Sequence, residues 1–123
     1  PLPVQWQVRS FDMELTLNPS GQALVIAPQG RLDSTTAPDF ERQLLAQLAS
    51  HSHLVLDFSN LDFISSAGLR VLVLAAKRIS KDNGRFILCE VSQPIRDVLE
   101  ISGFLGLIEV VANREEALTE VSA

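Results

Sequence analysis

Phe11, Met13, Leu15 and Leu17 alternate with Asp12, Glu14 and Thr16, the two-residue period of a strand with one buried face. Trp6 and Val8 extend the pattern upstream, with Trp6 expected to anchor the core or an edge. Asn18-Pro19-Ser20-Gly21 is a dense turn signal followed by an apolar run from Ala23 to Ala27, which predicts an antiparallel hairpin. Beyond Gly30-Arg31-Leu32-Asp33 the period lengthens. Phe40, Leu44, Leu45 and Leu48 recur at helical intervals, Pro38 suits a first turn, and Thr36 with Asp39 has capping-box spacing, so a helix is expected from about Thr36 to Ser50. Leu54-Val55-Leu56 lacks polar alternation, as expected of a central strand covered on both faces. Ser65 or Ser66 then caps a helix whose apolar stripe is Leu69, Leu72, Val73, Ala76 and Ile79 and which ends at Asn83-Gly84. Phe86 to Val91 reads as a strand, and Pro94 to Ile101 as a short helix with Ile95, Val98 and Leu99 inward and Gly103 just beyond. A small strand near Ile108 to Val111 precedes a helix capped by Asn113 and Glu116. This alternation predicts the α/β class, with right-handed crossovers and a mixed sheet that opens with a hairpin.

Composition narrows the function. The chain has 123 residues, 46% of them hydrophobic, enough for a core without a metal or disulfide, so residues 1–123 are read as one domain. Ten Lys plus Arg against fifteen Asp plus Glu give a net charge of −5, which repels a phosphate backbone and argues against nucleic acid as a direct partner. The single cysteine, Cys89, permits no internal disulfide; it reads as a small core residue of a protein in a reducing compartment. No stretch approaches the ~18 apolar residues of a membrane span, so the expected location is the cytoplasm, without membrane insertion. There is no Gly-x-Ser-x-Gly elbow, no Walker-type glycine loop and no zinc-spaced Cys/His cluster. His51 and His53 precede the central strand, at the sheet end opposite Ser66, and read as solvent-facing loop residues. Neither enzymatic activity nor a cofactor is expected.

In open α/β sheets, sites form in loops leaving the carboxyl ends of parallel strands. That directs attention to Asp33 and to the stretch from Asp57 to Gly68, where a buried strand meets a helix through a loop with two acids and a serine pair. At a helix start, unpaired amides and the dipole stabilise an anion, so a phosphate on Ser65 or Ser66 is tolerated there without melting the helix. Gly68 permits close approach by a phosphate, a nucleotide or a partner's backbone. The plainer reading is that the serines only cap and Gly68 only eases the helix's entry. Val71, Leu74 and Ala75 are apolar away from the first stripe, so the helix is either buried nearly all round or shows a hydrophobic band to a partner. Arg70, Lys77, Arg78 and Lys81 form a basic run in this acidic chain, either a solvated face or a contact for an acidic partner.

The chain resembles the STAS domains, and among them the bacterial anti-sigma-factor antagonists. The resemblance is carried by Gly30-Arg31-Leu32-Asp33, Leu54-Val55-Leu56-Asp57 and Phe63-Ile64-Ser65-Ser66-Ala67-Gly68-Leu69. It extends to Leu99-Glu100-Ile101-Ser102-Gly103 and to Asn113 through Leu118. It implies a mixed sheet of four or five strands with about four helices packed mainly on one face. It also implies a partner switch. The unmodified protein binds an anti-sigma factor that is a serine kinase of the histidine-kinase-like ATPase fold, and frees that kinase's client. Phosphorylation of one serine ends the binding, and a metal-dependent serine phosphatase restores it. By position, the family's aspartate-serine-serine-glycine falls on Ser65-Ser66-Ala67-Gly68, which puts the acceptor on Ser66, with Ser65 the alternative; Ala67 removes a rival hydroxyl. The implied partner surface is Asp33, Asp57, Ser65, Ser66, Ala67, Gly68, Leu69 and Arg70. Asp33 and Asp57 would bond loop amides or meet basic groups on the kinase, with turn capping their plainer role. A different use of the same resemblance is a binding module for lipid or anion transport or ligand sensing, in which Ser66 is never phosphorylated.

Overall fold

A computed structural model describes residues 6–9, 14–106 and 108–122. The alternating N-terminal segment forms two antiparallel strands, β1 (Trp6–Arg9) and β2 (Glu14–Ser20). Phe11, Met13 and the side chain of Trp6 lie outside the described residues. Leu15 and Leu17 are buried between the half-buried Glu14, Thr16 and Asn18, as the period-two pattern requires. β2 turns through Gly21-Gln22 into the antiparallel β3 (Ala23–Leu32), with Pro19 still paired opposite Leu24, so the predicted hairpin forms with a tighter turn than the Asn18–Gly21 signal suggests.

The central strand is β4 (His53–Asp57), parallel to β3 on one side and to β6 (Phe86–Cys89) on the other. β7 (Glu109–Val110) adds in parallel to β6. The strand order is β1-β2-β3-β4-β6-β7, with β5 (Leu61–Ile64) off this path on the far end of β3. The α/β class and the antiparallel opening are as expected, but there are more strands than four or five. β5 falls inside what the sequence presents as a loop because its burial runs in–out–out–in, with Asp62 and Phe63 exposed between Leu61 and Ile64, a pattern with no strand period. β3 reaches it by running ten residues, pairing with β4 as far as Ile26 and with β5 from Gly30, and the β5 ladder shifts register after Gly30, where Asp62 is passed over. Gly30 has φ +89, a conformation that other residues adopt only under strain, so glycine makes the bulge cheap.

Helices α1 (Ala37–Leu48), α2 (Ser66–Lys81) and α3 (Gln93–Ile101) cover the sheet face that carries Leu24, Ile26, Leu54, Leu56 and Leu88. The opposite face presents Val25, Val55, Ile87 and Cys89 to Ala117 of α4 (Arg114–Ser122). Helices therefore pack mainly on one face, with α4 alone on the other. The unalternated apolar runs of β3 and β4 follow from this double cover. α1 flanks α2, and Val71 and Ala75 are buried; that accounts for most of the second apolar band, leaving Leu74 exposed. α2 ends with Asn83 at φ +62, its N–H on the Ser80 carbonyl and that of Gly84 on the Ile79 carbonyl, a Schellman closure.

The start of α2 is held by close contact with the ends of β3 and β5. A Cβ on Gly68 would lie 2.7 Å from Leu32 Cγ, 2.9 Å from Ile64 Cγ1 and 3.0 Å from the Leu32 carbonyl oxygen. Gly68→Ala is expected to lower stability by about 1–3 kcal/mol, read as a lower urea midpoint; a midpoint equal to the parent's would show that the first turn is free to shift.

Candidate functional site

The Ser65 N–H donates to the Leu32 carbonyl at 2.9 Å, and the Ser65 carbonyl accepts the Leu69 N–H at 3.0 Å. Ser65 is the extended N-cap residue, yet its hydroxyl makes no capping bond. Its Oγ is buried with no hydrogen-bond partner among the described residues. The next residue, Ser66, opens the helix and is exposed. The side-chain cap expected from one of these serines is thus absent, because contact with β3 turns Ser65 inward. Of the two candidate acceptors, Ser66 is the one at the surface.

Asp33 sits in the turn between β3 and α1. Its Oδ1 accepts the N–H groups of Thr35 at 2.9 Å and Thr36 at 3.2 Å, and Thr36 Oγ1 accepts the Asp33 N–H at 2.9 Å. Thr36 Oγ1 also donates to the Arg31 carbonyl at 2.8 Å. Turned back in this way, Thr36 forms no capping box with Asp39, which is buried and ion-paired with Arg42. The Thr36 N–H, with help from Thr35 and Arg31, holds the Asp33 carboxyl below its ordinary value. Asp33 therefore shapes the loop beside α2 while staying only partly covered.

Asp57 does not share this surface. Even-numbered residues of β4 face α2, so Asp57 points with Val55 toward α4. It is buried, its Oδ1 accepting the N–H and hydroxyl of Ser59 at 2.9 and 2.7 Å and its Oδ2 lying 2.8 Å from Arg114 Nε. Its carboxylate is committed to the β4–β5 loop and α4. Gly68 and Leu69 are also buried and support the surface from beneath. Of the expected partner surface, Ser66 and Arg70 are exposed and Asp33, Ser65 and Ala67 partly so.

Two shallow depressions flank these residues. One, of about 410 Å³, is lined by Ser66, Leu69, Arg70, Val73, Ser102 and Phe104. The other, of about 310 Å³, lies between α1 and α2 beside Ala37, Glu41, Ala67 and Arg70. Sequence reasoning missed Phe104 and Ser102, which reach the site from the turn after α3. It also missed the pair in which the Arg31 guanidinium stacks 4.2 Å above the half-exposed Phe63 ring and lies 3.6 Å from Asp33 Oδ2. The signal for that pair is the cross-strand register of Arg31 with Phe63, invisible until β5 is recognised.

The other reactive side chains lie elsewhere. His53 opens β4, and its Nδ1 accepts the Arg85 N–H at 3.0 Å, so it is a structural acceptor rather than a free loop residue. His51 is also partly buried, its Nδ1 3.4 Å from the Gln47 carbonyl oxygen. Burial, followed by the charges of Asp57 and Glu90, pushes the Cys89 thiol up to about 12, which makes it a poor nucleophile. Among the described residues no group of three or more His, Cys, Asp or Glu is placed to hold a metal, and no helix is long and apolar enough to cross a membrane.

The family model of the STAS domain matches residues 14–117. The chain belongs to the STAS domain family. BtrV of Bordetella bronchiseptica, whose name only proposes an anti-sigma factor antagonist, is 42% identical over 106 residues, covering 85% of this chain and 91% of that protein. The anti-sigma F factor antagonist of Paenibacillus polymyxa is 28% identical over 113 residues, covering 90% and 97%. The crystal structure of an anti-sigma factor antagonist from Mycobacterium paratuberculosis shares the fold, with a TM-score of 0.82 and 24% identity, covering 94% of this chain and 100% of that one. The STAS match runs from the start of β2 into α4 and so takes in every element around Ser66.

Because its folded value is lowered, the Asp33 carboxylate contributes stability that is present above the ordinary aspartate range and is lost as pH falls through the folded value. Asp33→Asn should therefore be less stable than the parent at pH 7, and the gap should close as the pH drops below roughly 4. Urea unfolding at stepped pH measures this; a gap that is constant with pH would assign the loss to the turn rather than to the charge.

Proposed function

We propose that this STAS domain is an anti-sigma-factor antagonist that acts by partner switching in the cytoplasm. The unmodified form binds an anti-sigma factor that is a serine kinase of the histidine-kinase-like ATPase fold, and so releases the kinase's client. Phosphorylation of Ser66 ends the binding, and a metal-dependent serine phosphatase restores it. The observation that supports this reading best is the position of Ser66, exposed at the first residue of α2 while the neighbouring Ser65 Oγ is buried. The names of the curated relatives point the same way.

The switch asks for no catalysis by this chain. The kinase transfers the γ-phosphoryl group of ATP to Ser66 Oγ, the bond from the γ-phosphorus to the bridging oxygen breaks so that ADP leaves, and the hydroxyl proton passes to a base of the kinase or to water. The product carries about −1.5 to −2 charges at neutral pH. At the start of a helix that charge meets the positive end of the dipole, so the fold tolerates it. A docked partner does not, because desolvating an unpaired charge in an interface costs several kcal/mol. Each ~1.4 kcal/mol is tenfold in affinity, so one phosphate suffices to dismantle a micromolar complex. Docking would centre on Ser66, Ala67 and Arg70 with Asp33 at its border, over the apolar floor supplied by Leu69 and Val73.

Incubation with candidate kinases and ATP should add one phosphate, located by intact mass and peptide mapping at Ser66. Ser66→Ala should stay bound to the kinase in the presence of ATP. Ser66→Asp should bind at least about tenfold more weakly while unfolding near the parent's temperature. Tight binding by Ser66→Asp would rule out the charge mechanism, and failure of every cognate kinase to modify the chain would favour a STAS module that binds without being phosphorylated.

A further inference from the structure

Four arginines of the described chain are already engaged. Arg31, Arg42, Arg85 and Arg114 each contact a carboxylate. α2 is different: Arg70, Lys77, Arg78 and Lys81 are all exposed, and none is among the ion pairs of the described residues. Arg70 lies four residues after Ser66 and lines the same depression. Helical side chains lean toward the N-terminus, and residues four apart stack on one face, so an arginine at position 70 can reach back over Ser66. An anion placed N-terminal to a cation at this spacing is the favourable orientation. A phosphate monoester also offers three acceptor oxygens to the planar fork of a guanidinium.

We propose that Arg70 is the intramolecular counter-ion of phosphorylated Ser66, so that modification both adds a dianion and withdraws the adjacent free cation from the docking surface. This rests on Ser66 as the modified residue. The neighbouring charged groups leave Arg70 the best placed. Arg31 is held between Asp33 and the Phe63 ring. Asp62 on β5 and Asp33 in the β3–α1 turn carry the wrong sign. Glu41 of α1 lines the second depression with Arg70 but forms no ion pair with it. Before phosphorylation the surface beside Ser66 offers a cation to a partner's carboxylate; afterwards that cation is occupied and the local charge is negative.

The test uses the full chain with phosphoserine encoded at position 66 during translation, so that no kinase is needed. Phosphorus NMR follows the second ionisation of the phosphate in the parent and in Arg70→Gln, Arg70→Lys and Arg31→Gln. Arg70→Gln should raise that midpoint by roughly a few tenths of a pH unit. Arg70→Lys should raise it less, and Arg31→Gln should leave it unchanged. The Arg70 Nε–H resonance of the parent should move on phosphorylation. Identical midpoints in the parent and Arg70→Gln overturn the assignment, as does a shift that follows Arg31 instead. Because the phosphate is installed chemically defined, a negative result here leaves the kinase assay standing, and a chain that no kinase modifies can still show the ion pair.

Discussion

The rest of the site depends on the contact between the far end of β3 and the first turn of α2. The Leu32 carbonyl takes the Ser65 N–H, and the Leu32 side chain fills the space that any side chain at Gly68 would need. A helix usually relies on its own cap residue to satisfy its first amides. Here Ser65 makes no such bond, and the helix start is set by tertiary contact instead. With Ser65 turned into that contact, the next position swings about 100° around the helix axis and emerges at the surface. The exposure of Ser66 is thus a consequence of core packing. The length of β3 comes first in this sequence of causes, because the strand runs past its pairing with β4, which ends at Ile26, and pairs with β5 from Gly30, bringing Leu32 beneath α2.

Much of this was legible in the chain because it rests on local periodicity. The alternation around Leu15 and Leu17, the unbroken Leu54-Val55-Leu56 block and the stripe of α2 each follow from how a strand or helix presents its side chains. β5 was not legible, since a four-residue strand with two adjacent exposed positions carries no period. The Thr36–Asp39 spacing misled for a related reason. Two residues can match a capping box while their side chains find better partners, and Asp33 and Arg42 supplied those. The reversal of Asp57 away from α2 was in principle readable from parity, since Leu54 and Leu56 face the helices and Asp57 is out of step with them.

The two aspartates show why nearness in sequence does not decide function. Both leave the carboxyl ends of parallel strands, where α/β folds place their sites. Asp57 is consumed by Ser59 and Arg114, an arrangement that fastens α4 to the opposite face. Asp33 is also busy with backbone amides, but it stays partly open and orders the loop that borders Ser66. An anionic border raises the cost of adding a phosphate nearby unless a cation intervenes, and Arg70 is the unpaired cation one turn away.

A switch of this kind works only if the phosphate alters recognition without unfolding the carrier. Gly68, Leu69, Val71 and Leu72 anchor the first two turns of α2 in the core, so a charge added at the exposed Ser66 has little leverage on the backbone. Unfolding the turn would expose those buried apolar groups, at about 25 cal/mol per Å² of apolar surface. The alternative, reorienting one solvated arginine, costs at most its rotamer entropy of roughly 2 kcal/mol and returns charge-assisted hydrogen bonds. Rearrangement of surface charge is therefore the lower-energy response to modification, and the partner, which must desolvate that surface, bears the larger penalty.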